Sequence, residues 1–552
     1  MPVFPDNEIV EMKLNDTDWT DVSVDVVRPV NVMRGTPNNG PTDRLPDIGY
    51  ITFQMNNSEF NSARLKGYYS PGHTNCRVGF GVGIQVRYRI VYDGQTKTKF
   101  YGRIYPDGID VEPNEKGSRR TNVTVYDGVY QWMLHELELP AYTTNKRIDE
   151  VVPLIVANMP IAPLSTSYAT GVSTFTSVFD TLKYRTTAYA ELEKLALSEP
   201  AHIYLKITSA SDEVLTVENR NTRSNTTAVT RVVKPKAACG KLKLQTGDYL
   251  LLQTEDKLIL DEDMAVTFSN NMRDADPTYG KNFANKVIWR TFPKTQDSTN
   301  QVLFTLSKEI TIEAGATLDL MKINWKNPDQ PLARVAALSS VTPTATTDYT
   351  MFTATAGGGS DITADLAITY AGGAEGATLV LTNNNAAKGY VNFLQVRGKG
   401  VYFYDPVDTI YEDSTTQATY GIVPLTYEAK YQEDPTVAAL FGSNILNYTK
   451  TIRQSMDYVT FDANSSAELL GAFFATDIGD MVNITEDQSA VGKDFFIQGI
   501  AFESTNGASD GTYAKPKITF TWYLKDAEQD RIDSDMYARY DVSYYDQSYY
   551  GA

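Results

Sequence analysis

The sequence predicts a mainly β, multidomain protein in which a small α/β module and a β-sandwich insert interrupt strand-rich segments. Length is the first reason. A chain of 552 residues exceeds what one hydrophobic core organises, so roughly three to five domains are expected. Tyrosine is the second: 35 Tyr beside 22 Phe favour strands and amphipathic contact faces. The third is period. Strand-length alternation punctuated by Gly, Asn and Pro recurs along the chain, whereas helical spacing is scarce.

Residues 1–135 read as a β-rich domain. Val22, Val24 and Val26 alternate, with Arg28-Pro29 ending the run, and Tyr50–Phe53 is a second strand. In Gly83–Tyr92, Ile84, Val86, Tyr88 and Ile90 share one face. Asp93-Gly94 is a hairpin turn, with Lys99–Tyr105 as the returning strand. Thr121–Tyr126 follows, then a helical run at Val129–Glu138. Residues 136–225 read as the α/β module. Arg147–Asn158 is a helix that Pro153 kinks or shortens, Thr187–Ser198 is an amphipathic helix, and His202–Ile207 is a strand. Residues 226–304 return to β, with an acidic ribbon at Leu258–Met264 and a strand at Asn285–Arg290.

In 305–400 Thr, Ala and Gly dominate, and candidate strands at Thr311–Leu318, Tyr349–Thr355, Ile362–Tyr370 and Ala377–Thr382 fit a β-sandwich insert. Asn383–Gly421 reads as a joint. An asparagine cluster leads into strand Tyr390–Val396, a turn at Arg397-Gly398-Lys399-Gly400, and strand Val401–Tyr404, which makes Arg397–Gly400 a hinge candidate. Residues 401–525 hold a helix at Thr436–Tyr448 and strands at Asp480–Thr485, Lys493–Phe502 and Lys517–Leu524. The remaining stretch, 526–552, is a polar Tyr/Asp tail.

A formal charge of −18 argues against electrostatic capture of nucleic acid, and Arg119-Arg120 is too small a basic patch to reverse that. Cys76 and Cys239 lie far apart and form neither a disulfide framework nor a zinc spacing, so free buried thiols are expected. The N-terminus lacks a secretory pattern, and no apolar run approaches the ~18 residues of a membrane span. A soluble chain made in a cytoplasm is the expectation.

No catalytic, cofactor or metal residues are assigned. His73-Thr-Asn-Cys76 has a His-x-x-Cys spacing but lacks two further ligands. His135 sits beside Glu136 and Glu138 as on a surface helix, and His202 has no nucleophile elbow to serve. Acidic pairs such as Asp274/Asp276 and Asp261/Asp263 are no more than 68 acidic residues produce by chance. Gly357–Gly359 and Gly372-Gly373 lack the Lys-Ser/Thr of a phosphate loop. Asp526–Asp535 lacks a calcium-loop spacing. An enzyme is not expected.

The order of segments is informative where each alone is weak. KFYGRIY (99–105) precedes VYDGVYQWM (125–133) and TAYAELEKLALSEPAHIYL (187–205). NKVIWR (285–290), EITIEAGATLDL (309–320), the Asn383–Asn385 edge and FLQVRGKGVYF (393–403) follow. Ser414–Gly421 then leads to IGDMVNIT (478–485), FFIQGIAF (495–502) and TFTWYL (519–524). This order, across nearly all of 1–525, resembles the minor tail proteins of tailed bacteriophages that carry the baseplate-hub fold of the tail tip.

The resemblance implies a homotrimeric structural virion protein, assembled in the host cytoplasm and placed at the tail tip, that closes the distal end of the tail tube. It implies two barrel-like hub domains, at 1–135 and 401–525, with strands contributed by 226–304. Strands at 83–105 and 480–524 are then expected to supply intersubunit and tube-facing edges, and the insert to point outward. Implied partners are the tail tube, distal tail proteins, and fibre or tip proteins. Viral DNA is expected only in passage through an acid-lined lumen that repels phosphate. A carbohydrate-binding host-adhesion protein and a tail-associated hydrolase are the alternatives.

Overall fold

The computed structural model describes residues 3–529 except 16, 114–118, 139–140, 180–184, 225, 234–239, 242–258, 261–262, 327–334, 434 and 510–513. Cys239, residues 258, 261 and 262 of the acidic ribbon, and nearly all of the 526–552 tail therefore lie outside the described residues. The fold is mainly β and multidomain.

Residues 7–126 and 454–526 build one sheet. Among the described residues its path runs Thr20–Asp21, Asn7–Met12, Gln85–Tyr92, Gln95–Arg103, Arg120–Tyr126, Tyr50–Asn56, Val26–Gly35, Val491–Ser509, Ala514–Asp526, Gln454–Asp462, Asp274–Tyr279. Ile109–Glu112, Met481–Glu486 and Phe268–Ser269 pair off this path. The first half forms for the reason the sequence suggests: Val86, Tyr88, Ile90 and Tyr92 alternate into the core. Asp93 and Gly94, both at positive φ, close the hairpin. Side chains of both halves merge into one apolar cluster, with Val86, Tyr88 and Phe100 from the first and Phe473, Phe502, Phe520 and Trp522 from the second.

Strand Val491–Ser509 joins the halves. On one side, residues 491–496 pair with Met481–Glu486 and residues 499–504 with Val30–Gly35; on the other, the strand pairs with Ala514–Asp526 along most of its length. At the crossing Gly35 lies opposite Gly499. A Cβ on Gly35 would stand 2.2 Å from the Gln498 carbonyl oxygen, and its φ of +77° is a left-handed conformation, so glycine is required there.

Several expectations are corrected. Val22–Val26 is not a strand: Ser23–Asp25 is a 3₁₀ turn with Val24 turned outward. The Asp25 carboxylate accepts from Ser62 N, Ser62 Oγ and Tyr69 Oη, and these bonds outcompete the alternation. The strand begins at Val26 and continues through Arg28-Pro29 by a register shift between Val27 and Asn31. The helix expected at Val129–Glu138 spans Gly128–Leu134, and Glu136–Glu138 pairs with Arg185–Thr187 instead. Pro153 sits inside helix Ile148–Ala157 without ending it. The strands within 83–105 and 480–524 lie inside the sheet path, although Gln95–Arg103 meets Arg120–Tyr126 only at Arg103. Gln85–Tyr92, Val491–Ser509 and Ala514–Asp526 each have partners on both sides, and the path ends at Thr20–Asp21 and Asp274–Tyr279.

The α/β module has its own core. Helix Ala188–Ser198, whose first turn is capped by Thr187 Oγ1 accepting from Ala190 N, and helix Ile148–Ala157 pack with strands Ser165–Tyr168, Val214–Glu218 and His202–Lys206.

Residues 226–304 do not act as one segment. Asp274–Tyr279 joins the large sheet. Lys286–Thr291 is the middle strand of a separate sheet with Val407–Glu412 and Pro424–Ala429, covered by helix Pro435–Thr449. There Trp289, Tyr427 and Phe441 stack, so the 407–449 part of the expected 401–525 domain lies in that layer. Lys294–Gln296 and Gln301–Thr305 belong to the insert.

The insert is two facing sheets around a shared core. Its organising element is a single strand, Gly389–Phe403, which pairs in turn with Ile310–Ile312, Tyr349–Phe352, Gln301–Thr305, Val335–Val341 and Lys294–Gln296. Thr317–Asn324, Gly376–Asn383 and Leu366–Gly372 form the opposing sheet. The turn and hinge expected at Arg397–Gly400 are therefore overturned, as is a boundary between 400 and 401. Gly398 serves close strand approach, since a Cβ there would lie 2.9 Å from Ser340 Cα and 2.8 Å from Leu303 Cδ1. The chain enters and leaves the insert at adjacent residues, with Tyr404 N donating to Pro293 O at 3.2 Å.

Candidate functional site

The densest polar constellation lies where both halves of the large sheet meet the α/β module. Strand Gln95–Arg103 sends Lys97 and Lys99 toward the C-terminal end of helix Ala467–Ala475. Lys97 Nζ donates to Ala475 O at 2.5 Å and Lys99 Nζ to Thr476 O at 3.2 Å. Two cations thus meet the carbonyls and the negative dipole end of that helix. One residue further on, Asp477 accepts from Arg34 Nη1 at 2.8 Å and from Ile207 N at 2.7 Å. The other Arg34 nitrogen donates to Leu205 O at 3.1 Å. Asp480 accepts from Lys206 Nζ and from Asp477 N, both at 2.8 Å.

The electrostatics follow from this crowding. Burial works against ionised Asp477, yet Arg34, Lys99 and Lys97 together hold its carboxyl below the ordinary range. Burial pushes the Lys99 amine well below its ordinary value, with Lys97 adding repulsion and Asp477 opposing. A second polar tie crosses the same seam. Buried Glu8 accepts from Tyr88 Oη at 2.6 Å, from Arg28 at 2.8 Å and from Ser504 Oγ.

Beside this junction, Asp127 and Glu213 are two buried carboxyls that sequence pairing did not find. Burial raises Asp127 to about 7 against the N–H groups of Gly49 and Val129. Burial, and then the charge of Asp127, raises Glu213 to about 7 against the N–H groups of Leu164 and Gly128. The cavity they line with Tyr105, Tyr126 and Trp132 measures about 20 Å³, space for roughly one water. A sugar ring is larger than this space. A larger open groove of about 640 Å³ lies between Arg87, Arg89, Lys97 and the 208–212 loop. Its cations are committed: Arg87 and Arg89 to Glu11, Arg87 also to Asp212, and Lys97 to the helix end.

The residues singled out from sequence do not converge. His73 Nδ1 accepts from Asn75 N, and the Cys76 thiol faces the carbonyls of Arg77 and Phe80. Among the described residues no group of three or more His, Cys, Asp or Glu side chains is placed to hold a metal. His135 follows helix Gly128–Leu134, and His202 is buried with its ring nitrogen 2.9 Å from Arg44 Nη1. Asp274 accepts from Tyr458 Oη on an edge strand. Gly357 and Gly359 occupy a turn at positive φ. Among the described residues no helix is long and apolar enough to cross a membrane.

The junction was missed because its partners are remote. Arg34 and Asp477 stand 443 positions apart, and no local pattern marks either. Arg397 was noticed for its glycines; its actual role is a two-pronged bond to Asp348, at 2.7 and 2.9 Å.

No protein-family model matches this sequence, and no curated relative matches it. Its solved structural neighbours are phage-type tail proteins. It is similar to the 43 kDa tail protein of prophage MuSo2 from Shewanella oneidensis at 11% identity and TM-score 0.44, covering 95% of this chain and 99% of that one. It is similar to the tail protein from Neisseria meningitidis MC58 at 10% identity and TM-score 0.43, covering 96% and 99%. A third likeness, at 11% identity and TM-score 0.24, covers 43% of this chain and 56% of the E. coli c3393 protein. That protein is described as a type VI secretion component with structural similarity to the T4 bacteriophage tail proteins gp27 and gp5.

Proposed function

We propose that this chain is a structural component of a phage tail: a homotrimeric hub that closes the distal tip of the tail tube and anchors fibres or the next tip protein. The observation that carries the reading is the continuous sheet uniting residues 7–126 with 454–526 around one core. A chain whose residues 7–126 and 454–526 share one sheet, and whose insert leaves and returns at Pro293 and Tyr404, is organised as one body with an appendage. Such a body transmits position and load, the task of an assembly part. In this reading the mechanism is assembly and gating, no catalysis takes place, and no cofactor is used.

In the assembled tip the large sheet forms the ring and the insert at 294–403 points away from the tube. Viral DNA contacts the hub only in passage, along a lumen whose carboxylates repel phosphate. Mass photometry tests the central step. Three chains of 61.3 kDa give a particle of about 184 kDa; a species that stays at the mass of one chain at tens of micromolar contradicts the hub.

A further inference from the structure

The connection 57–84 between strands Tyr50–Asn56 and Gln85–Tyr92 contains neither helix nor strand. Connections longer than about 12–15 residues without secondary structure are uncommon in compact domains, and ordered ones are usually functional. This one is pinned from inside. Ser62 donates twice to the buried Asp25 carboxylate, at 2.7 and 2.6 Å, and Tyr69 Oη once at 2.6 Å. Arg77 Nη1 donates to Tyr69 Oη and Thr121 Oγ1 to Tyr69 O, both at 2.8 Å. Tyr69 and Phe80 meet edge to face, 5.2 Å between centroids, in the core.

Among its exposed residues, several apolar side chains face solvent beside the polar ones. Phe60 is 73% exposed, Val78 90% and Val82 52%, and Val24, on the turn that holds the loop through Asp25, is 80% exposed. Apolar side chains held outward on a pre-organised loop mark a contact surface. Its charge indicates the partner. The connection carries Arg64, Lys66 and Arg77 against Glu59, a net of +2, on a chain whose total is −18. A basic, apolar loop complements the acidic remainder of the chain itself.

We infer that loop 57–84 docks on an acidic face of a second copy of this chain. The contact is head to tail, so that rotation closes a ring. This rests on the trimeric reading above. It assigns the apolar contact to Phe60, Val78 and Val82 and the charge contact to Arg64 and Lys66. Lys66 bonds Glu59 at 2.7 Å within its own copy and is exposed enough to reach a second carboxylate.

The test compares the wild-type chain with the double variant Phe60→Asp, Val78→Asp. Mass photometry gives the oligomer, circular dichroism the melting temperature, and zero-length carbodiimide coupling of mixed ¹⁴N and ¹⁵N copies the contact. The trimer midpoint is expected to move up at least about tenfold in the variant, with the melting temperature of the monomer unchanged. Lys66 is expected to couple to a carboxylate of a differently labelled copy. A variant that keeps the trimer, with Lys66 coupled only within its own copy, overturns the loop contact and leaves the hub standing. A wild-type chain that never leaves the monomer overturns both. Should the variant melt early, the coupling result alone decides. If wild type binds phosphatidylglycerol vesicles and the variant does not while both stay trimeric, the loop is a lipid contact, and the inference fails.

Discussion

The large sheet and the insert bury charge in opposite ways. At the sheet junction, Arg34, Lys97, Lys99 and Lys206 share Asp477, Asp480 and helix-end carbonyls drawn from four separate elements. In the insert, Asp348 is held by Arg397, Gln395 and Thr344, all within 49 positions. The junction ties register between remote parts of the chain; the insert satisfies itself locally. Long-range polar ties specify which parts of the chain meet, and both they and the buried Asp348 pair carry a desolvation cost. The comparison therefore separates a body tied by remote polar partners from an appendage whose polar ties are its own.

The strongest way to break it is at Asp477. Asp477→Asn leaves Arg34 and two lysines without their buried counter-charge, a loss of about 3–5 kcal/mol, and the main thermal transition is expected to fall. Asp348→Asn removes charge-assisted bonds worth about 1.5–3 kcal/mol; the insert alone is expected to loosen, read by proteolysis inside 294–403 with the main transition in place. A more local effect comes from Gly35→Ala, which forces alanine into the left-handed φ of Gly35 and against the Gln498 carbonyl at the crossing of the two halves, at about 1–3 kcal/mol. Excising 294–403 and joining Pro293 to Tyr404 through a short glycine link is expected to leave the number of chains per oligomer unchanged while each chain becomes lighter, checked by mass photometry. Ala336, Ala374 and Val401 pack on the α/β module, so the excised protein is expected to lose solubility before it loses assembly.

Acid sorts the buried carboxyls by sign, with Asp477 of the junction lowered like Asp348 of the insert. Asp127 and Glu213 titrate at about 7 in the fold and near 4 in an unfolded chain. The folded state binds more protons between those values, so this part of the stability falls as pH rises from about 4 to about 7. Asp348 is the reverse. Burial opposes its charge, but the Arg397 and Thr344 bonds hold its carboxyl at about 2, so its contribution is present above about 4 and lost as pH falls through about 2. Asp127→Asn is expected to flatten the slope of melting temperature against pH between 5 and 7, measured by scanning calorimetry, without touching the acid limb.

Local order was legible in the sequence. The alternation at 85–92, the Asp93-Gly94 turn and the Thr187-capped helix need only neighbours a few positions away. What escaped depends on distant partners. Val22–Val26 alternates like a strand, but Asp25 turns inward to Ser62 and Tyr69. Gly398 and Gly400 look like a turn because glycine permits one; here Gly398 lets a partner strand close in and Gly400 leaves room for the Asp297 and Tyr402 side chains. The pairing of Val30–Gly35 with residues 499–504 leaves no trace in either segment, yet it decides that the two expected hub domains share one core. Asp127 and Glu213 were invisible as a pair because 127 and 213 meet only across the module boundary.

The central claim is that the ends of the chain form a single cooperative body. Native-state hydrogen exchange read by mass spectrometry tests it most directly, by following residues 30–35 and 499–504 in wild type and in Asp477→Asn. The expected result is equal protection of both segments in wild type and their joint loss in the variant, with Gly389–Phe403 unchanged. Separate protection of the two segments, one opening while the other stays closed, contradicts the account.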